Sequence, residues 1–307
     1  MKTLIDSNQG FPRKRLVSTI TKILGIISVA VAVVGASGCS DSGGGSSTTG
    51  STSSSTGNTT TSTGNTTNNT TGNTPGLDTN DPSAIVSAAD FGDEFNADSL
   101  SSWTLRHQAE GEAAQYTVLD INQTNAGSLT VQPTITPGWF AAGKAPLIYK
   151  RVTGNFSVET SVITHSAANA ALPPGNDFNS AGLMARHTIG SGQNHVMVNV
   201  GRQRNTITNS LGSEAKNTTN SSSVLDLQSG SANGRLALCR VGDVFTVYRQ
   251  LDNETQWTQI GIAVSRPDFP DTVQVGLVVN GFEGPDIVAE FDYVRMTVPA
   301  NTAACVN

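Results

Sequence analysis

Residues 234–261 read GRLALCRVGDVFTVYRQLDNETQWTQIG. Side chains alternate along both halves of this stretch. Leu236, Leu238 and Arg240 fall on one face, and Ala237, Cys239 and Val241 on the other. After Gly242-Asp243 the alternation resumes, with Phe245 and Val247 set against Thr246 and Tyr248. A Gly-Asp pair between two such runs marks a two-residue hairpin turn, because glycine takes a positive φ at no steric cost. Asp252-Asn253-Glu254 supplies a second turn, and Trp257 closes a returning strand. The stretch predicts three antiparallel strands and hence an all-β domain.

Working outward, strand-like runs recur at 116–121, 128–131, 146–151, 156–164, 181–187, 194–201, 273–279 and 288–298. Gly, Asn, Pro or Ser bounds each of them. Beyond Val34 no segment keeps a 3.6-residue period over ten or more residues. Many short strands at this spacing build a sandwich or a barrel. The chain has 307 residues, but roughly the first 80 cannot contribute a core, which leaves about 225 for one large β-domain. Charged residues make up 14% and the net charge is −6, with no basic patch, which argues against a nucleic-acid partner.

The N-terminus carries Lys2, then Arg13, Lys14 and Arg15, then an apolar run from Ile23 to Val34. That run is shorter than the roughly 20 residues a membrane-spanning helix needs, so it reads as an export signal. The segment Ala36-Ser37-Gly38-Cys39 resembles a bacterial lipobox, with Ala36 where Leu is usual. The resemblance implies lipid attachment at Cys39, and Ser40 after it resembles the signal for outer-membrane delivery in diderm bacteria. From Ser40 to about Asn80 the chain is Ser, Thr, Gly and Asn, the composition of a disordered tether. About 40 such residues reach some 35 Å on average. The organisation expected is a signal peptide at 1–38, a lipidated, membrane-anchored tether at 39–82 and a folded domain at 83–307.

Several pieces together resemble the concanavalin A-like jelly-roll group, in particular its laminin G-like bacterial sandwich domains, some of them appended to glycoside hydrolases. They are Asp93-Glu94-Phe95 with Trp103, Gly154-Asn155-Phe156, Ala181-Gly182-Leu183-Met184, the 235–243 hairpin, the Asp252 turn before Trp257, and Phe291-Asp292-Tyr293-Val294-Arg295. The resemblance spans about 90–298 and implies an antiparallel two-sheet jelly-roll sandwich, with Trp103 and Trp257 in structural positions. It also implies sugar binding on the concave outer face of one sheet. Alternation sets Leu183, Val196, Val198 and Val200 on a core face, and Met184, Arg186, His195, Met197 and Asn199 on the opposite one. Arg186, His195 and Asn199 are therefore the candidate ligand-binding residues for a poly- or oligosaccharide, the other reading being an ordinary solvated or loop-covered face. Trp139, beside Pro137-Gly138, is a candidate stacking platform or else a residue folded over the sandwich edge.

For a metal, the fold analogy offers Asp93 and Asp292 as an edge calcium site, and the Asp252–Glu254 turn is rich in the oxygen ligands calcium takes. Catalytic signatures are missing. Glu290-Phe291-Asp292 has no third acid, and two carboxyls flanking a bond at a defined separation are what glycoside cleavage requires. A non-catalytic carbohydrate-binding lipoprotein is the expectation; a glycan-active hydrolase or lyase and a structural envelope component are the alternatives. With Cys39 assigned to lipid, Cys239 and Cys305 remain as an even pair in an exported domain. They either form a disulfide that staples the C-terminal tail to the hairpin, or stay a buried and a free thiol.

Overall fold

The computed structural model describes Asp81 and residues 83–134, 138–190 and 192–306. The expected signal peptide, lipidation site and tether lie outside these residues. The strands, in chain order, are β1 (Thr104–Leu105), β2 (Tyr116–Ile121), β3 (Leu129–Pro133), β4 (Leu147–Thr153), β5 (Phe156–His165), β6 (Asn179–His187) and β7 (Asn194–Arg202). They continue with β8 (Leu211–Thr219), β9 (Ser222–Ser229), β10 (Gly234–Val241), β11 (Val244–Leu251), β12 (Thr258–Gln259), β13 (Val264–Ser265), β14 (Thr272–Gly281) and β15 (Val288–Thr297). Two single-turn helices, α1 (Ala88–Phe91) and α2 (Arg106–Ala109), interrupt the strands near the start.

The strands pair antiparallel in two sheets. One has seven strands in the order β1-β4-β14-β6-β7-β8-β9. The other runs β12-β11-β10-β5-β15-β3-β2, with β13 also on β11. The hairpin read first from the sequence is β10–β11. Val241 pairs with Val244 across the Gly242-Asp243 turn, and Gly242 sits at φ +58°. Its inward residues Leu236, Leu238, Phe245 and Val247 enter the main core between the sheets. There they meet Leu183, Val196, Val198 and Val200 from the facing sheet. Trp103 joins this core and stands edge-on to Phe91 at 5.5 Å.

Two long strands are missing from the runs read by alternation. β8 and β9 pair from Gly212–Ser229 to Thr219–Ser222 around Asn220-Ser221, both at positive φ. That is a two-residue hairpin turn of the kind that matches strand twist. The sequence here, LGSEAKNTT and SSVLDLQS, is rich in Ser, Thr and Asn. β9 is a sheet edge with no side consistently buried, so hydrophobic alternation has little to record. Trp257 also departs from its expected structural place. It lies half-buried with the Arg235 guanidinium 4.8 Å from its ring centre, outside the main core, just before the short strand Thr258–Gln259 that pairs with β11.

Cys239 and Cys305 are joined in a disulfide that closes a separation of 66 residues. The tail is further tied by the Ser157 hydroxyl, which donates to the Cys305 carbonyl at 2.5 Å.

Candidate functional site

The outer face of the seven-stranded sheet is built by alternation and register. β6 contributes Met184 and Arg186; Met184 lies opposite Met197 and Arg186 opposite His195 of β7. One strand further, Asn199 lies opposite Glu214 and Met197 opposite Lys216 of β8. Arg186 and His195 do converge with Trp139: the His195 ring is 5.4 Å from the indole and the Arg186 guanidinium 5.2 Å from it.

That convergence is sealed. Trp139, His195 and Asn199 have no exposed surface and Arg186 is 2% exposed. The structure thus places these four expected ligand contacts beneath the surface rather than on it. The cause is the loop that follows β3. Trp139 N donates to Asn280 Oδ1 at 2.8 Å, its indole Nε1 to the Pro146 carbonyl at 3.2 Å, and Lys216 Nζ donates to its carbonyl at 2.6 Å. Gly143 makes the fold-back feasible, since a Cβ there would stand 2.5 Å from the Gly138 carbonyl oxygen. The ring then completes a second apolar cluster with Ala145, Leu147, Tyr149, Met184, Met197 and Val278.

An ion network closes the same half of the face. Glu110, beyond α2, meets Arg106 at 2.9 Å, Lys144 at 2.6 Å and Arg186 at 2.6 Å. Glu112 pairs with Arg106 and Lys144 at 2.8 and 3.1 Å. Burial alone would raise the Glu110 carboxyl, but Arg186, the Lys144 hydrogen bond and Arg106 outweigh it and hold the pKa at about 2. Burial, reinforced by Lys216, Arg186 and Arg266, pushes His195 well below the usual imidazole range, so the ring is neutral under its tryptophan.

Asn199 supports the next strand rather than a sugar. Gln203 donates to Asn199 Oδ1 at 2.9 Å, Asn199 donates to Glu214 at 3.1 Å, and Glu214 pairs with Lys216 at 2.8 Å. Lys216 in turn anchors Trp139, as above. The chain of contacts ends at Phe140, whose ring lies 6.0 Å from Lys216 Nζ and is 52% exposed.

Phe140 opens onto a cleft of about 530 Å³ over the far half of the face. Leu225 and Leu227 of β9 and Lys216 of β8 line it from the sheet, and Phe178, Phe282, Asp177, Glu283 and Arg204 come from loops. The Asn179 side chain ties the two aromatic loops together, donating to the carbonyls of Asp177 at 3.3 Å and Phe282 at 2.7 Å. Asn176 adds a bond to the Gly284 carbonyl at 3.0 Å. Phe178 and Phe282 thus stand edge-on, with centroids 6.0 Å apart. Phe178, Glu283 and Ala141, all on or beside the rim, have positive φ, a conformation costly for side-chain-bearing residues that clusters at functional sites. Among the described residues, Asp177, Glu283 and Arg204 form no ion pair. The cleft therefore offers three phenyl rings, two free carboxylates and a free guanidinium. Its sequence signal was slight: Phe178 and Phe282 sit in the loop runs Gly175-Asn176-Asp177-Phe178 and Gly281-Phe282-Glu283-Gly284.

The expected calcium positions are otherwise engaged. Asp93 accepts from the Ser99 hydroxyl at 2.6 Å, from Trp103 Nε1 at 2.9 Å and from Phe95 N at 3.0 Å, while Asp292 is exposed at a bulge of β15. Glu254 caps its own turn, accepting from Leu251 N at 2.9 Å and pairing with Arg249 at 3.0 Å. Among the described residues no three His, Cys, Asp or Glu side chains gather as a metal site.

Fold and face together define a two-sheet antiparallel β-sandwich whose outer sheet face is half sealed and half an open aromatic cleft. Solved structures share the architecture. A xylan β-1,4-xylosidase from Bacillus halodurans superposes with a TM-score of 0.50 at 18% identity, over 67% of this chain and 38% of that one. A variant of the GH43 protein BlXynB from Bacillus licheniformis gives 0.51 at 14% identity, over 68% and 39%. This chain thus matches well under half the length of either protein, and at such identities the likeness concerns the fold. Peanut lectin superposes at 0.45 with 13% identity, over 69% of this chain and 98% of that one. No protein-family model and no curated protein sequence matches the chain.

Proposed function

We propose that this protein binds a carbohydrate, without cleaving it, in the cleft walled by Phe140, Phe178 and Phe282. The observation that carries the reading is the pairing of exposed phenyl rings with free Asp177, Glu283 and Arg204 side chains in one open recess. A sugar ring has an apolar face that lies against an aromatic ring and a rim of hydroxyls that hydrogen-bond to carboxylate and guanidinium groups. Recesses of ~300–1,000 Å³ with a few placed polar groups are the usual form of such sites. The xylosidase named above, in which a sandwich of this fold is part of a chain acting on xylan, supports the ligand class.

The test is affinity electrophoresis of the full chain through gels containing xylan or other neutral polysaccharides, with and without EDTA. Retardation that weakens in Phe140→Ala and Phe282→Ala is expected. Free migration through every polysaccharide would sink the reading, and release of reducing ends would overturn its non-cleaving part. The proposal extends to placement: lipid on Cys39 and the tether that follows hold the domain away from a membrane. Mass analysis of the N-terminal peptide would detect the acyl groups, and Cys39→Ala would move the protein to the aqueous phase.

A further inference from the structure

A second cavity, of about 300 Å³, opens on the other side of the β8–β9 hairpin, between the edges of the two sheets. β9 closes the seven-stranded sheet, and β12 and β13 lie at the facing edge of the other. Leu227 lines the aromatic cleft and Leu225 borders both recesses, while Val224 and Asp226 line the slot alone. The inner walls, Val196, Phe245, Val247 and Ile260, are members of the main core, so the slot is an apolar continuation of that core to the surface. At the mouth Val224 is 69% and Ile262 84% exposed, an unusual setting for two β-branched aliphatic side chains on either side of one opening.

The charge of the slot is one-sided. A Cβ placed on Gly261 would be 3.5 Å from Asp226 Cβ, 3.6 Å from its Oδ2 and 3.8 Å from Ala215 Cβ, so the carboxylate stands against the slot lining. Asp226 forms no ion pair among the described residues; its carboxylate accepts a hydrogen bond from Gln228 Nε2 at 3.4 Å. Lys216 borders the slot, but its ammonium is turned to Trp139 and Glu214 on the opposite face of the sheet. An aliphatic recess with a lone anion complements a molecule with one alkyl chain and one positive charge.

We propose that this slot binds a single-chain amphiphile with a cationic head group, its alkyl chain between the sheet edges and its head against Asp226. The proposal stands independently of carbohydrate binding in the cleft. The test is calorimetric titration of the full chain, below micelle formation, with three ten-carbon probes: decyltrimethylammonium, decan-1-ol and decanoate. Saturable one-to-one binding is expected, tightest for the cation and weakest for the anion. Asp226→Asn should weaken the cation by about two- to fivefold, the worth of one partly exposed charge pair, and leave decanol unchanged. Ala215→Leu should fill the slot and abolish binding. Ile262→Asp, at an exposed position where folding is not at risk, should weaken decan-1-ol and decanoate. Absence of saturable binding, equal affinity for the three heads, or undiminished decan-1-ol binding to Ile262→Asp would overturn the proposal. So would concentration-dependent dimerisation of the wild type that Ile262→Asp abolishes without any probe binding, which would assign the face to a second copy.

Discussion

Glu110 is the residue on which the sealed half of the sheet face turns, and its removal is the sharpest test of that arrangement. Its carboxylate meets three cations, of which Arg106 has no exposed surface and Arg186 is 2% exposed. Glu110→Gln keeps the side chain's shape and removes its charge. Arg106 retains Glu112, but Arg186 is left with Gln193 and Gln274 and no anion within ion-pair distance among the described residues. The folded carboxyl titrates at about 2 against an ordinary value of 4.5, and each pKa unit is ~1.4 kcal/mol. With its side chain 20% exposed, solvent screening reduces that linkage to about 2–3 kcal/mol. For a domain of about 225 residues the loss corresponds to roughly 4–12 °C in Tm. The assay is thermal unfolding of the full chain followed by far-ultraviolet circular dichroism from pH 7 to pH 2. Because the folded pKa is depressed, the carboxylate's contribution is present above pH 4.5 and disappears as pH falls toward 2. The wild type should lose its advantage over Glu110→Gln across that window. A variant within 1 °C of wild type at pH 7, or one with an unchanged acid limb, would refute the network's role.

Other outcomes follow from the same geometry. Trp139→Ala should cost about 3–5 kcal/mol in urea denaturation, because the second apolar cluster loses its largest member and cannot collapse around Arg186 and His195. His195→Gln should flatten the stability profile just below pH 6.5. There the unfolded imidazole takes up a proton that the buried ring refuses, at up to ~1.4 kcal/mol per pH unit; an unchanged slope in the variant would count against a neutral His195. Cys239→Ser with Cys305→Ser should lower stability by about 2–4 kcal/mol, given the long loop the bond closes, and should free the tail to proteolysis. Phe140→Ala should weaken glycan retardation about two- to tenfold with little change in Tm, whereas Asn199→Ala should lower Tm, since Asn199 is wholly buried beneath the rim.

The candidate site was only partly legible. Alternation along β6 and β7 assigned every side chain discussed there to its correct face, because a period of two is imposed by the strand backbone itself. What alternation cannot report is which outer face another segment covers. Trp139 and Phe140 are adjacent aromatics in one glycine-containing loop, and nothing local says that the first is buried and the second exposed. That outcome depends on Asn280, 141 residues away, and on Lys216, 77 away. Likewise β8 and β9 are polar strands held by backbone hydrogen bonds, β8 to β7 and β9 to β8, a stabilisation that leaves no hydrophobic trace in the sequence.

The sequence by itself determined the all-β class, the β10–β11 hairpin and its turn, and the division of core from outer residues on the central strands. All of these follow from backbone stereochemistry and burial acting over a few residues. Only the tertiary structure decided where the outer face is open. The loop at 138–146, the Glu110 network and the stapled aromatic loops around Asn179 are contacts between segments remote in the chain. Their energies depend on three-dimensional register, and register is what turned Arg186, His195 and Asn199 into supports and made Phe140, Phe178 and Phe282 the surface.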